Sequence, residues 1–214
     1  MGRTGPTDQD LAPGRGRHAP IETPRRPLDA VGLDLSGADF SRTDLSESWL
    51  TDARLRDVRL IGADLYRSDA QGADLTGADL TGASLVRVNL DDAVLRHARL
   101  DGADLTKASL CDVDAFGASC RGTRFGGASL LNVDFRSADL SGSVFDGNAF
   151  QVTLDQHTKL DGTSGSVFGP ATLTHPTGTR TLSGPDLHHW ISTHGGSVRV
   201  VNGQGTAFRG RGRS

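Results

Sequence analysis

The chain has little of what most globular cores are built from. Only two of its 214 residues are cysteine, and aromatic residues make up 5%. Two cysteines cannot build a disulfide framework, which fits a reducing compartment, and so few aromatic rings exclude a core of large ring systems. No apolar run approaches the roughly 20 residues of a membrane span. The amino-terminal residues include arginines but no apolar segment typical of a secretory signal. These absences predict a cytoplasmic protein.

A strong excess of one charge is also missing, since the net charge is −3, and the chain as a whole predicts no affinity for nucleic acid. What the sequence does have is a repeat of five residues, seen in GADLTGADLTGASL at 72–85. From Leu35 to Phe150 there are 24 consecutive fifth positions, of which 16 are Leu and 5 are Phe. Two residues before them, 13 of 24 positions are Ala. A helix repeats every 3.6 residues and a strand every 2, so this pattern favours a coil that turns a corner every five residues.

The motif ADLTG is similar to the A(D/N)LXX signature of the pentapeptide-repeat family, and the similarity covers residues 33–152. It implies a right-handed quadrilateral β-helix, in which four pentads form one 20-residue coil and the large and small apolar residues point inward. No coil hides its apolar side alone, so the coils must stack. At a strand spacing of about 4.8 Å, 24 pentads give six coils and a rod of roughly 29 Å. We therefore predict an all-β solenoid of about six coils with a small α+β cap at its C-terminal end.

Composition divides the chain into a disordered amino-terminal tail, the rod, a small ββαβ unit and a basic disordered tail, at 1–27, 28–152, 153–203 and 204–214. Val31 and Leu33 are the candidates for covering the N-terminal end of the rod. In the ββαβ unit, alternation on both sides of a Pro-Thr-Gly turn predicts a hairpin at 171–182. The segment 183–196 predicts a short helix, and 197–201 predicts a strand.

The predicted helix places Leu187, Trp190 and Ile191 on one face, at i, i+3 and i+4 spacing. One interpretation is that this face caps the C-terminal end of the rod. The other follows from the resemblance, because gyrase-binding members of the family form dimers through a C-terminal helix. The same three residues are then a candidate contact in a homodimer.

Residues 20 apart lie above one another in such a coil, so the pentads sort into four faces. Three faces carry nearly balanced charges of −1, 0 and −1. The fourth, which we call the acidic face, has no Lys or Arg, and its pentads are centred on Leu50, Ala70, Leu90, Leu110, Leu130 and Phe150. Its acidic residues are Asp52, Asp69, Asp91, Asp92 and Asp112. The apolar residues expected to point outward from it are Trp49, Leu131 and Val152.

An acidic stack without interleaved arginine suits a basic partner, whereas a solvated face that keeps the rod soluble is the simpler interpretation. The quinolone-resistance and antibiotic self-protection members of the resembled family look like B-form DNA and bind DNA gyrase. We therefore predict a non-enzymatic DNA mimic that engages DNA gyrase or another type II topoisomerase and protects it from inhibitors. The alternative is a protein–protein interaction scaffold whose partner is unassigned. Neither reading involves a membrane, a cofactor or sequence-specific contact with nucleic acid.

Motifs for catalysis and metal binding are weak. His188, His189 and His194 suggest a metal site, but adjacent histidines do not share one helix face, and no H-E-x-x-H spacing is present. The segment 162–169 lacks the G-x-S-x-G spacing of a nucleophile elbow. Cys120 occupies an inward position of the repeat and is expected to fill the core. An enzyme seated in residues 153–203 is therefore the least favoured interpretation, and no cofactor or metal ligand is assigned.

Overall fold

The computed structural model describes residues 27–201, so the tails expected at 1–27 and 204–214 lie outside the described residues, apart from Pro27. Each pentad turns one corner in the same way, as Leu75–Ala78 illustrates. The Ala78 amide donates to the Leu75 carbonyl oxygen at 3.0 Å, and Gly77 between them has φ of +70°. That geometry matches a β-turn whose third residue is left-handed, where glycine carries no steric cost.

Between corners, each side of the square pairs with the coils above and below. Arg54 pairs in parallel with Asp34 and with Asp74, and the same offset of one coil recurs around the rod. The Leu55 amide, for example, donates to the Asp74 carbonyl oxygen at 2.7 Å. The backbone groups of each coil are thus satisfied by its neighbours. The predicted right-handed quadrilateral β-helix is confirmed, and its first six coils span residues 28–147.

The inward positions form one continuous apolar core along the rod. From residue 45 onward, the large residue of each pentad and the small residue two before it are buried throughout. Cys120 fills one large position and is 2% exposed. Near the C-terminal end, phenylalanines replace leucines, and the rings of Phe125 and Phe145 stack with centroids 5.2 Å apart.

The longer strands lie in the C-terminal third: β1 Ser129–Asp134, β2 Val144–Asp155, β3 Ser164–Phe168, β4 Ala171–His175, β5 Gly178–Leu182 and β6 Ser197–Val201. β1, β2 and β3 pair in parallel, so coil-like pairing continues past residue 152, the expected end of the rod, to Phe168. The register slips by one residue along β1 and β2: Leu131 pairs with Gln151, but Val133 pairs with Val152. Val152 therefore points inward and is 2% exposed, so the expectation that it faces outward was wrong.

The remaining elements cover the C-terminal end of the rod. β4 pairs with β2 and turns back into β5, which is the predicted hairpin. The helix α1, Gly184–Thr193, follows, and β6 then pairs in parallel with β3. Leu187 and Ile191 of α1 are buried in the continuous core, whereas Trp190 is partly buried against it. The helix thus closes the end of the rod with its apolar face.

The N-terminal end is different. The first coil begins at Leu28, with Ala30 already buried, but Val31 and Leu33 are about half exposed. The first coil pairs only with the second coil, and no other described segment covers its open side. Val31 and Leu33 therefore leave about half of their surface exposed at this end. The single helix among residues 27–201, α1, is too short to be a membrane span.

Candidate protein-binding face

The acidic face is a continuous surface built by one ladder of paired residues. Its ladder positions follow one another in parallel pairs from Trp49 through Asp69, Asn89 and Ser109 to Ser129. Because these pairs hold neighbouring coils in a constant register, the side chains of successive coils stand in columns. The five predicted acidic residues therefore share one side of the rod.

The most exposed of these acids form a column at the corner where the face ends. Asp52, Asp92 and Asp112 occupy equivalent left-handed corner positions, with φ of 55°, 61° and 57°. Each amide donates to the coil below, as in the Asp92 amide bond to the Cys111 carbonyl oxygen at 2.8 Å. Gly72 takes the intervening corner, and the Asp52 carboxylate lies against it where a Cβ would stand. At about 4.8 Å per coil, the column extends over roughly 14 Å.

The carboxylates of the acidic face are held by neutral donors from the neighbouring coils. Asp69 accepts from the Asn89 side-chain amide at 3.0 Å, and Asp92 accepts from the Gln71 side-chain amide at 3.3 Å. Asp91 is tied most firmly, since one oxygen accepts from the Ser109 hydroxyl at 2.6 Å and the Cys111 amide at 2.8 Å. Such bonds orient a carboxylate but leave its negative charge uncompensated.

Asp112 follows the same rule, accepting from the Asn132 side-chain amide at 3.0 Å. On the other three faces, which we call the mixed faces, many aspartates are paired with arginine or lysine, although Asp101 and Asp155 accept from neutral groups. The cross-coil pairs include Arg56–Asp74, Arg59–Asp39, Arg96–Asp114, Arg99–Asp79, Arg121–Asp139 and Arg124–Asp104, with N···O distances of 2.6–3.9 Å.

Asp139 shows how strongly a mixed face compensates a carboxylate. Arg121 lies 2.8 Å and Lys159 3.5 Å from its Oδ2 atom. Burial opposes ionisation of Asp139, but hydrogen bonds from Ser141 and Arg121 outweigh that effect and lower its pKa to about 2. The same contact with Asp139 raises the pKa of Arg121 and so favours its charged form.

One feature of the site was missed by the sequence analysis. Arg67, Arg87 and Lys107 occupy the corner at the opposite edge of the acidic face, one in each of three successive coils, with φ of 55–60°. None of them forms an ion pair within the part of the chain that the structure describes. The negative surface is thus a strip bounded on one side by a basic column, rather than a full side of the rod. The sequence did contain a signal for this basic column, because a cation recurs every 20 residues at positions 67, 87 and 107.

The apolar residues predicted on this face lie near its ends. Trp49 is 57% exposed, on the ladder directly above Asp69. Leu131 is partly exposed, one coil below Cys111. The Cys111 sulfur lies 3.8 Å from the Ser109 hydroxyl oxygen and 3.6 Å from that of Ser129. An exposed aromatic ring beside carboxylates is a common anchor in protein interfaces.

Two of the three residues predicted to form a dimer contact are buried within the chain itself. Leu187 is 0% and Ile191 1% exposed, so neither side chain is available to a second copy. Of that trio, only Trp190 retains surface, and its ring is tilted against His194 with centroids 4.2 Å apart. His194 Nδ1 donates to the Trp190 carbonyl oxygen at 2.7 Å, and His188 Nδ1 donates to that of Val198 at 3.2 Å. The histidines thus make separate backbone contacts.

A groove of about 710 Å³ between residues 156–161 and 192–195 includes His157, His194 and Asp161. No cluster of three or more His, Cys, Asp or Glu able to hold a metal ion occurs among the described residues. Burial raises the pKa of the Cys120 thiol, so the thiolate that nucleophilic chemistry needs is disfavoured there.

A square β-helical rod built from five-residue repeats places the chain in the class of repeat solenoid proteins. The family model for pentapeptide repeats matches the chain in eight copies, over residues 29–57, 38–77, 73–112 and 116–147. Together these matches cover more than half of the chain, which therefore belongs to the pentapeptide-repeat family. Proteins of this family bind other proteins.

Solved structures of pentapeptide-repeat proteins resemble the chain. Rfr23 from the cyanobacterium Cyanothece 51142 is 24% identical over 61% of this chain and 89% of that one, with a TM-score of 0.38. A thylakoid-lumen protein of Arabidopsis thaliana is 35% identical over 52% and 70%, with a TM-score of 0.24. Full-length QnrB1, a plasmid-mediated fluoroquinolone resistance protein, is 14% identical over 83% and 92%, with a TM-score of 0.36. No curated protein matches the chain. The family assignment rests on the repeats themselves.

Proposed function

We propose that the protein is a non-enzymatic binding protein that presents its acidic strip to a basic groove, acting as a DNA mimic toward DNA gyrase or another type II topoisomerase. The observation that carries the proposal is the contrast between the faces. Many carboxylates on the mixed faces lie within 4 Å of arginine or lysine, whereas no carboxylate of the acidic face does so among the described residues, and its carboxylates that are bonded accept from amides and hydroxyls. A strip that keeps its charge over several coils attracts a basic surface.

The spacing of the strip supports a DNA-binding partner. Carboxylates one coil apart are about 4.8 Å apart, which is comparable with the rise of about 3.4 Å per phosphate along one DNA strand. The rod, with eight paired steps from Asp29 to Val201 or roughly 38 Å, also has the length to occupy a duplex-sized groove. Protection of a topoisomerase from inhibitors follows from this proposal, because an occupant of the groove competes with the DNA that the inhibitor traps.

The proposal is tested with a gyrase supercoiling assay, with and without a fluoroquinolone. We expect the wild-type protein to inhibit supercoiling or relieve the drug, and the double variant Asp52→Lys, Asp92→Lys to lose either effect. The matched control is Asp57→Lys. Asp57 occupies the next corner of the same coil, with φ of 53°, and lies against Gly77 as Asp52 lies against Gly72. Circular dichroism should be unchanged in all variants.

A scaffold with another protein partner is the second candidate, and Trp49 favours it. A tryptophan that is 57% exposed has no counterpart in a phosphate backbone, whereas it serves as an anchor in many protein interfaces. If wild-type protein leaves supercoiling and drug action unchanged, the topoisomerase proposal is wrong. The scaffold then predicts a specific binding partner that is lost on Trp49→Ala and retained on Asp57→Lys.

A further inference from the structure

The described chain ends on the acidic face itself. Val201, the last residue of β6, pairs with Phe168, and Phe168 pairs with Ala149. Ala149 pairs with Ser129, which stands directly below Ser109 on the ladder of the acidic face. The segment 202–214, which follows Val201, therefore starts at the C-terminal end of the column that carries the acidic strip.

That segment has the charge that the strip lacks. Its sequence NGQGTAFRGRGRS contains Arg209, Arg211 and Arg213 and no acidic residue. Asn202 and Gly203 directly follow β6, and both residue types favour a change of chain direction. The segment therefore starts beside the acidic face and carries the opposite charge.

We propose that residues 202–214 dock on the acidic strip and compete with its partner. The distances match. Val201 lies four paired steps from Ser109, the level of Asp112, or about 19 Å, and seven steps from Trp49, the level of Asp52, or about 34 Å. At about 3.3–3.6 Å per residue, Arg209 reaches up to about 29 Å from Val201 and Arg213 up to about 43 Å.

The spacing of the three arginines also matches the strip. Alternate residues of an extended chain place their side chains on one side, so Arg209 to Arg213 present three cations over about 13 Å. The column from Asp112 through Asp92 to Asp52 extends over three coils, or roughly 14 Å. Phe208 precedes these arginines and lies within reach of the partly exposed Leu131 and Phe168.

The docked segment makes the acidic face self-inhibited. A basic partner must displace three arginines that are tethered to the same chain, where their effective concentration is high. The competition part of the inference rests on the proposed function, whereas the docking part does not. Added salt should release the segment, since exposed ion pairs are screened within about 10 Å at 0.1 M.

Docking is tested on the full chain by paramagnetic relaxation in NMR. A nitroxide label on Ser214→Cys, in a Cys111→Ser background, reports where the segment lies, and Cys120 is too deeply buried to take the label. We expect amides at 51–52, 91–92 and 111–112 to lose intensity, and amides of the opposite face, at 79–80 and 99–100, to keep it. Replacing Arg209, Arg211 and Arg213 by serine should restore the lost signals. The triple variant Asp52→Asn, Asp92→Asn, Asp112→Asn should do the same.

The matched control, Asp39→Asn, Asp57→Asn, Asp64→Asn, removes three exposed acids from the mixed faces, none of them at a corner of the acidic face, and should leave the pattern intact. Broadening that is equal on all faces, absent, or confined to the neighbourhood of β6 overturns the docking. Competition is tested separately in the supercoiling assay, where the serine variant should act at about threefold lower concentration than wild type. An unchanged concentration overturns the competition. If neither protein affects gyrase, the topoisomerase proposal fails, while the NMR result still decides the docking.

Discussion

The acidic face and the mixed face opposite it share a backbone and a core, but they differ in what bridges neighbouring coils. On the mixed face centred on Phe40, Leu60 and Leu80, arginine or lysine joins aspartates across coils, as in Arg99–Asp79 at 3.9 Å. On the acidic face the equivalent bridge is the Asn89 amide to Asp69 at 3.0 Å. Both bridges satisfy a carboxylate, but only the first cancels its charge.

This difference shows that the rod does not need surface ion pairs to stack. The parallel pairing on the acidic face is as regular as on the mixed face, with the Leu90 amide bonded to Ser109 at 2.9 Å and the Leu80 amide to Arg99 at 2.7 Å. Exposed ion pairs contribute little to stability, typically about 0–1 kcal/mol. Charge on each face is thus free to vary with function, while the core residues maintain the fold.

The largest expected effect tests whether the core is the same behind both faces. Leu90 lies behind the acidic face and Leu80 behind the mixed face, and each is 1% exposed. Replacing either leucine by alanine should lower the free energy of unfolding by about 3 kcal/mol, through lost burial and the cavity left behind. Urea denaturation of the two variants checks this. A loss at Leu90→Ala well below that at Leu80→Ala would show that the acidic face packs differently.

A smaller effect concerns the ion pairs of the mixed face. The Asp139 side chain is only 13% exposed, and its pKa of about 2 lies below the usual 3.8. A carboxyl with a lowered folded-state pKa adds stability above pH of about 4 and loses it as pH falls toward 2. Asp139→Asn should therefore cost about 2 kcal/mol at neutral pH and flatten the acid limb of the stability curve.

Unfolding measured from pH 7 to 2 checks this, with Asp112→Asn as the control on the acidic face. Asp112 is exposed and accepts one hydrogen bond, from Asn132, so its substitution should change the free energy of unfolding by less than about 0.5 kcal/mol. Equal losses for the two variants would contradict the distinction between the faces.

Most of the fold could be predicted from the repeat. Once four pentads form one coil, an unbroken period of five determines which residues of successive coils stand above one another. Two departures had weaker signals. The one-residue slip that buries Val152 shows in the sequence only as Leu154, which stands one place before the expected position 155. The basic column of Arg67, Arg87 and Lys107 escaped notice because whole pentads were assigned to faces. A corner residue borders two faces, so its charge acts on both.

The smallest effect on stability comes from exchanging the bridges of the two faces. Asn89→Arg places a cation beside Asp69, as Arg99 stands beside Asp79, and Arg99→Asn makes the reverse change. Each should alter the free energy of unfolding by about 0.5 kcal/mol or less. Their effects on binding should differ, because Asn89→Arg interrupts the acidic strip, whereas Arg99→Asn lies on the opposite side of the rod. Supercoiling assays and thermal unfolding of the same pair check this. Equal activity of both variants would mean that the uncompensated strip is not the binding surface.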